Sequence, residues 1–212
     1  MKIKLNIPET LSEITLAQYQ KWTKIIENEE QLSTFYQHKM IEIFCKVELK
    51  QIMQMKIKDV DEIIKHLNTL FESKCKFKPL FNLGNEEFGF IPKLDDMTFG
   101  EYIDLDTYLA DWQKMDSAMA ILFRPVILKR KGKYLIEDYE SSDKYDLRNM
   151  PLDVVMGSLV FFCNLRHELL KHILNYLKTQ EIVDIPVELK DLLKSGDGIN
   201  QFMPYHKEIL EN

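Results

Sequence analysis

Apolar and polar residues alternate at the start of the chain, with Ile3, Leu5 and Ile7 on one side and Lys2, Lys4 and Asn6 on the other. A period of two predicts a short strand, closed by Pro8. The period then lengthens. Leu16, Tyr19, Trp22 or Thr23, and Ile26 recur at the spacing of one helical face, with Thr15 placed to cap it. A second helix is expected from about Ser33 to Cys45, with Met40, Ile43 and Phe44 inward. Met53 and Met55 fall in a link. Asp59-Val60-Asp61-Glu62 reads as a capping box, because Asp59 can accept from the third amide while Glu62 reaches back. It would open a helix through Ile63, Ile64, Leu67, Leu70 and Phe71.

After Cys75 the period changes again. Phe77, Leu80, Phe81 and Leu83 on one arm and Phe88, Phe90 and Ile91 on the other flank Gly84-Asn85, residues that tolerate the positive φ of a tight hairpin. Thr98-Phe99-Gly100-Glu101 is a second capping box, leading a helix with Tyr102, Leu105 and Leu109. Another helix follows, with Trp112, Met115, Met119 and Leu122 at helical spacing up to Arg124, where Pro125 is expected to stop it. Val126 to Lys129 and Tyr134 to Ile136 then suggest a hairpin around Lys131-Gly132. Pro151 suits the first position of a long helix to about Lys178. Val154, Val155, Met156, Leu159, Val160, Phe161 and Phe162 make its first half apolar nearly all round, as in a helix enclosed by protein.

These elements predict a mainly α-helical α+β fold with one or two small β-hairpins and a long buried helix near residues 151–178. Residues 1–178 are expected to form one globular domain. Residues 179–212 are expected to hold a short helix, opened by Asp184-Ile185-Pro186, and a C-terminal arm. Two glycines and one proline interrupt Ser195 to Asn212, and its apolar residues are scattered. Such a segment buries too little to offset its ordering entropy. Phe202, Met203, Tyr205, Ile209 and Leu210 are therefore candidate partner-contact residues.

Composition narrows the classes. A net charge of -6 argues against general nucleic-acid binding, which needs a basic face. The local exception is Lys129-Arg130-Lys131 with Lys133. Three cysteines, with no C-x-x-C, fit a reducing compartment and not a disulfide framework. The start carries no apolar core of secretory length. The longest apolar-rich run, Leu152 to Leu165, falls short of the roughly 20 residues of a membrane span. The chain reads as soluble and cytoplasmic when made, with no membrane partner.

No chemical motif stands out. Cys163 and His167 could share a face, but His172 lies about 140° further round, so H-E-L-L-K-H lacks the zinc spacing. His38, His66 and His206 have no partner nearby in sequence and read as surface residues. Asp95, Asp96, Glu101, Asp104, Asp106 and Asp111 lie mostly at helix starts, where negative charge is favoured, so capping accounts for them. There is no calcium loop, phosphate loop or nucleophile elbow. No catalytic, cofactor or metal set is assigned. Ten Met, twelve Phe and nine Tyr will fill a core, with a remainder suited to adaptable contact faces.

Five stretches, taken in order, carry a resemblance. They are I-P-E-T-L-S-E-I-T-L-A-Q-Y-Q-K-W, F-G-F-I-P-K-L-D-D-M-T-F-G-E-Y-I-D-L, A-M-A-I-L-F-R-P-V, Y-L-I-E-D-Y, and M-P-L-D-V-V-M-G-S-L-V-F-F-C-N-L. Over roughly residues 7–178 the chain resembles small virion or assembly proteins of tailed bacteriophages, including those of Bacteroidetes hosts such as the crAss-like phages. The resemblance implies a non-enzymatic virion component, particle cargo or tail-assembly chaperone. Its partners would be other phage structural proteins of the tail, portal or capsid. It would act in the host cytoplasm during assembly and in the virion if it is a particle component. The resemblance supplies no catalytic residues. The rival readings are a small intracellular enzyme with an unfamiliar active site and a host-directed regulatory binding protein.

Overall fold

The computed structural model describes residues 5–26, 34–162 and 164. The fold is α+β and mainly helical, with a four-stranded antiparallel sheet. Helices α1 (Leu16–Ile26), α2 (Thr34–Phe44), α3 (Leu49–Ile52) and α4 (Ile57–Phe71) come first. The hairpin β1 (Leu80–Leu83) and β2 (Glu86–Phe90) follows, then α5 (Phe99–Leu109) and α6 (Met115–Leu122). Strands β3 (Phe123–Arg130) and β4 (Lys133–Ile136) complete the sheet, and α7 spans 152–162.

Local sequence explains most of these boundaries. Thr15 Oγ1 accepts from the Gln18 amide and the Gln18 side chain takes the Thr15 amide, so α1 starts on a reciprocal cap. One face of α1 buries Leu16, Tyr19, Trp22 and Thr23. Met40, Ile43 and Phe44 of α2 are buried as expected. Glycine at 84 and 132 takes positive φ at the two hairpin turns, where Lys131 does so as well.

Four expectations are corrected. Residues 5–8 form no strand; among the described residues, none pairs with them. The α4 helix opens at Ile57 on Lys56, so Asp59 lies inside its first turn and not at its cap. Favourable dipole interaction for an acid there does not require it to be the cap. The helix before Pro125 ends at Leu122, and Phe123, Arg124 and Pro125 belong to β3. Pro125 pairs with Phe88 close to a bulge between Val126 and Leu128, a setting that tolerates a missing ladder donor. Pro151 precedes α7 and forms an isolated bridge with Thr15.

That bridge ties the two halves of the described chain together. Leu16 donates to the Met150 carbonyl at 2.9 Å, and Leu152 donates to the Ile14 carbonyl at 2.8 Å. The β2–β3 pairing merges both hairpins into one sheet of order β1-β2-β3-β4. Aromatic rings fill the contacts on both sides. Tyr19, Trp112, Phe71 and Phe44 pack edge to face or tilted among the helices. Phe81, Phe88, Phe90 and Phe123 line the sheet, and Phe90 meets Phe161 of α7. Leu159 is 2 % exposed, whereas Val160, Phe161 and Phe162 are only half-buried. Leu169, the remainder of the long helix, and residues 179–212 lie outside the described residues.

Candidate functional site

The first turn of α5 and the β3–β4 hairpin enclose an open groove of about 1110 Å³. The Thr98 capping box starts α5: Glu101 donates its amide to Thr98 Oγ1 at 3.2 Å, and its carboxylate accepts from the Thr98 amide at 2.6 Å. That fold-back aims Glu101 at β3, where Arg124 Nη1 lies 2.8 Å from its other oxygen. Both side chains are almost fully removed from water. The Arg124 guanidinium also lies 5.9 Å from the Tyr139 ring centre, within cation–π range. Arg124 Nε is buried and has no hydrogen-bond partner among the described residues.

Tyr139 continues the chain of contacts. Its hydroxyl donates to Asp104 Oδ2 at 2.5 Å. Burial, with that bond and the Asp104 charge, pushes the phenol far above its ordinary range. Of the acids singled out by sequence, Glu101 and Asp96 line the groove, and Asp104 stands behind Tyr139 as its hydrogen-bond acceptor. Asp96 is exposed, with Lys93 3.9 Å away. Asp111 caps a short 3-10 turn by accepting from the Gln113 amide at 2.9 Å. Asp106 is exposed, and the Asp95 side chain lies outside the described residues. The Glu101–Arg124 pair joins distant positions, and no local spacing announces it.

The other wall is continuous, from Arg130 through the turn and β4 to Tyr139. Leu128 and Leu135 are cross-strand partners that line the groove, each more than half exposed. Next to the groove, α5 presents Phe99, Tyr102 and Ile103 to solvent. Their three- and four-residue spacings place them on one helical face. Neighbouring exposed apolar side chains of this kind mark contact surfaces. Arg130, Lys131 and Lys133 stand at the hairpin tip with no ion pair among the described residues. Lys129, from the same basic run, pairs with Glu87 at 2.6 Å.

A nucleophilic role finds no support in the described thiols. Burial pushes Cys45 and Cys75 up to about 11, which keeps both protonated near neutrality. His66 lies on α4 with Nε2 2.9 Å from the Pro8 carbonyl oxygen, so it has a structural contact. His38 is half-buried on α2. No described helix is long and apolar enough to cross a membrane. Among the described residues no cluster of three or more His, Cys, Asp or Glu could hold a metal. Cys163, His167, His172, His206 and the partner-contact candidates Phe202, Met203, Tyr205, Ile209 and Leu210 lie outside the described residues.

Comparison with protein-family models, with curated proteins and with solved structures finds no match. The groove is accordingly read from its own chemistry.

Proposed function

We propose that this chain is a non-enzymatic protein that works through protein–protein contacts, as a structural or assembly protein of a tailed bacteriophage. The observation that supports the contact role is the makeup of the groove. Its buried ionic groups, Glu101 and Arg124, are committed to each other, and the Tyr139 hydroxyl is taken up by Asp104, while its apolar and cationic groups Leu128, Leu135, Arg130, Lys131 and Lys133 face solvent. A reaction centre needs polar groups free to meet a reacting atom. A binding face needs exposed apolar anchors within a polar rim, and Leu128, Leu135 and the hairpin cations supply both. The phage setting rests on the resemblance of the five stretches quoted above. In that setting the partners are tail, portal or capsid proteins, and the protein acts in the host cytoplasm or in the particle.

Mass spectrometry of purified virions tests this reading. A fixed copy number in particles supports a virion component or cargo. Absence from particles, with a complex on a tail or portal protein in infected cells, supports an assembly chaperone. Finding neither overturns the proposal.

A further inference from the structure

We propose that the groove beside β4 docks an extended acidic segment of a partner protein, added to the sheet as a further strand. The proposal deepens the protein-contact reading and rests on it. Three observations carry it.

The first is the sheet edge. Among the described residues β4 pairs only with β3, so its outer side offers unpaired backbone donors and acceptors. The groove runs along β4 and the chain that continues it, which suits a partner in extended conformation.

The second is the apolar pair. Leu128 and Leu135 lie opposite each other and line the groove with more than half of their surface exposed. An extended segment turns every second side chain to one face, so its apolar residues can rest there.

The third is charge. Arg130 and Lys133 are direct cross-strand partners. Like charges so placed destabilise a hairpin. With Lys131 they have no carboxylate partner among the described residues, on a chain whose net charge is -6. Of the carboxylates on the groove other than the buried Glu101, Asp96 answers Lys93 and Glu137 answers Lys144, which leaves Asp138 against three cations. An acidic partner relieves the repulsion. A nucleic acid fits less well, because three cations neutralise few phosphates and the leucine pair has no role against them.

The test is fluorescence polarisation of the full chain with a labelled eight-residue peptide alternating glutamate with valine and isoleucine. The matching lysine peptide and a single-stranded oligothymidine are the controls. The glutamate peptide should bind about tenfold or more tightly than either control, and more weakly as salt rises. An Arg130→Glu, Lys133→Glu variant keeps like charges opposed, so its melting should be unchanged while the preference reverses toward the lysine peptide. Backbone amide signals of Lys133–Ile136 should shift on adding the glutamate peptide to the wild-type chain. Equal binding of the two peptides, tighter binding of the oligonucleotide, or a charge variant that binds like wild type overturns the site. These results use purified protein, so they stand apart from whether the chain is found in virions.

Discussion

Glu101 and Arg124 meet at 2.8 Å across the junction of α5 and β3, with side chains only 4 % and 8 % exposed. Each answers a burial cost that the other would otherwise incur alone. A buried ion pair adds modest net stability, but removing one partner strands a charge. Arg124→Met alone should therefore cost about 3–5 kcal/mol. Glu101→Gln together with Arg124→Met should cost clearly less than the two single changes added, because glutamine can still reach back to the Thr98 amide. Urea unfolding of the four proteins gives the coupling. Additive losses would show that the pair is not energetically joined.

The α7 helix should be sensitive at two positions for different reasons. Leu159 is 2 % exposed, so Leu159→Ala should cost about 2–5 kcal/mol through lost burial and a cavity. Gly157 is limited by space. A Cβ there would lie 2.4 Å from the Lys76 carbonyl oxygen, a backbone atom that cannot swing aside. Gly157→Ala should lose about 1–3 kcal/mol although alanine favours helix. Thermal or urea melting distinguishes the cases, and a neutral or stabilising Gly157→Ala would mean that α7 and the segment around Lys76 separate freely.

What sequence pattern could show follows from range. The Thr98–Glu101 box, the Thr15 cap and the two turns at Gly84 and Gly132 are specified by residues within a few positions of one another, and all were legible. The merger of the hairpins was not, because the β2–β3 register depends on Phe88 meeting Pro125. A proline after a helical run signals a stop, and only the neighbouring bulge makes it acceptable in a strand. Reading the Asp59 box as a cap failed because two overlapping starts were available, and Lys56 won without a side-chain bond. For the groove, the basic run and the acids were visible singly. Their sorting into buried pairs and free tip charges required the tertiary fold.

Alkaline pH should weaken the fold through the thiols. Burial raises Cys45 from 9.0 to about 11. Cys75 is also raised to about 11, by burial first and then by the Asp153 charge. Below pH 9 both states hold these protons and no pH dependence arises from them. Between pH 9 and 11 the unfolded chain releases them while the folded chain keeps them, so stability falls as pH rises. A Cys45→Ala, Cys75→Ala variant should show a shallower fall in melting temperature over that window. An identical slope would mean that neither thiol is shielded in the folded protein.

Tyr134 anchors the hairpin that walls the groove to β2. Its hydroxyl donates to the Phe90 carbonyl at 2.8 Å. Its ring lies over Gly89, where a Cβ would come within 2.7 Å of the ring edge. The close approach is possible only because residue 89 has no side chain, so the glycine and the tyrosine act as a unit. Tyr134→Phe removes one neutral hydrogen bond and should cost about 1 kcal/mol. Tyr134→Ala removes the ring as well, which loosens β4 from β2 and leaves it held by the β3 ladder and the Ile136 contact at Gly89. Hydrogen exchange should then quicken in Lys133–Ile136 while α1 and α2 keep their protection, since local opening need not unfold the core. Gly89→Ala should give the same pattern more weakly, by displacing the ring instead of deleting it. If exchange in β4 is unchanged in Tyr134→Ala, the backbone ladder suffices to hold the hairpin, and the groove wall is rigid without its tyrosine.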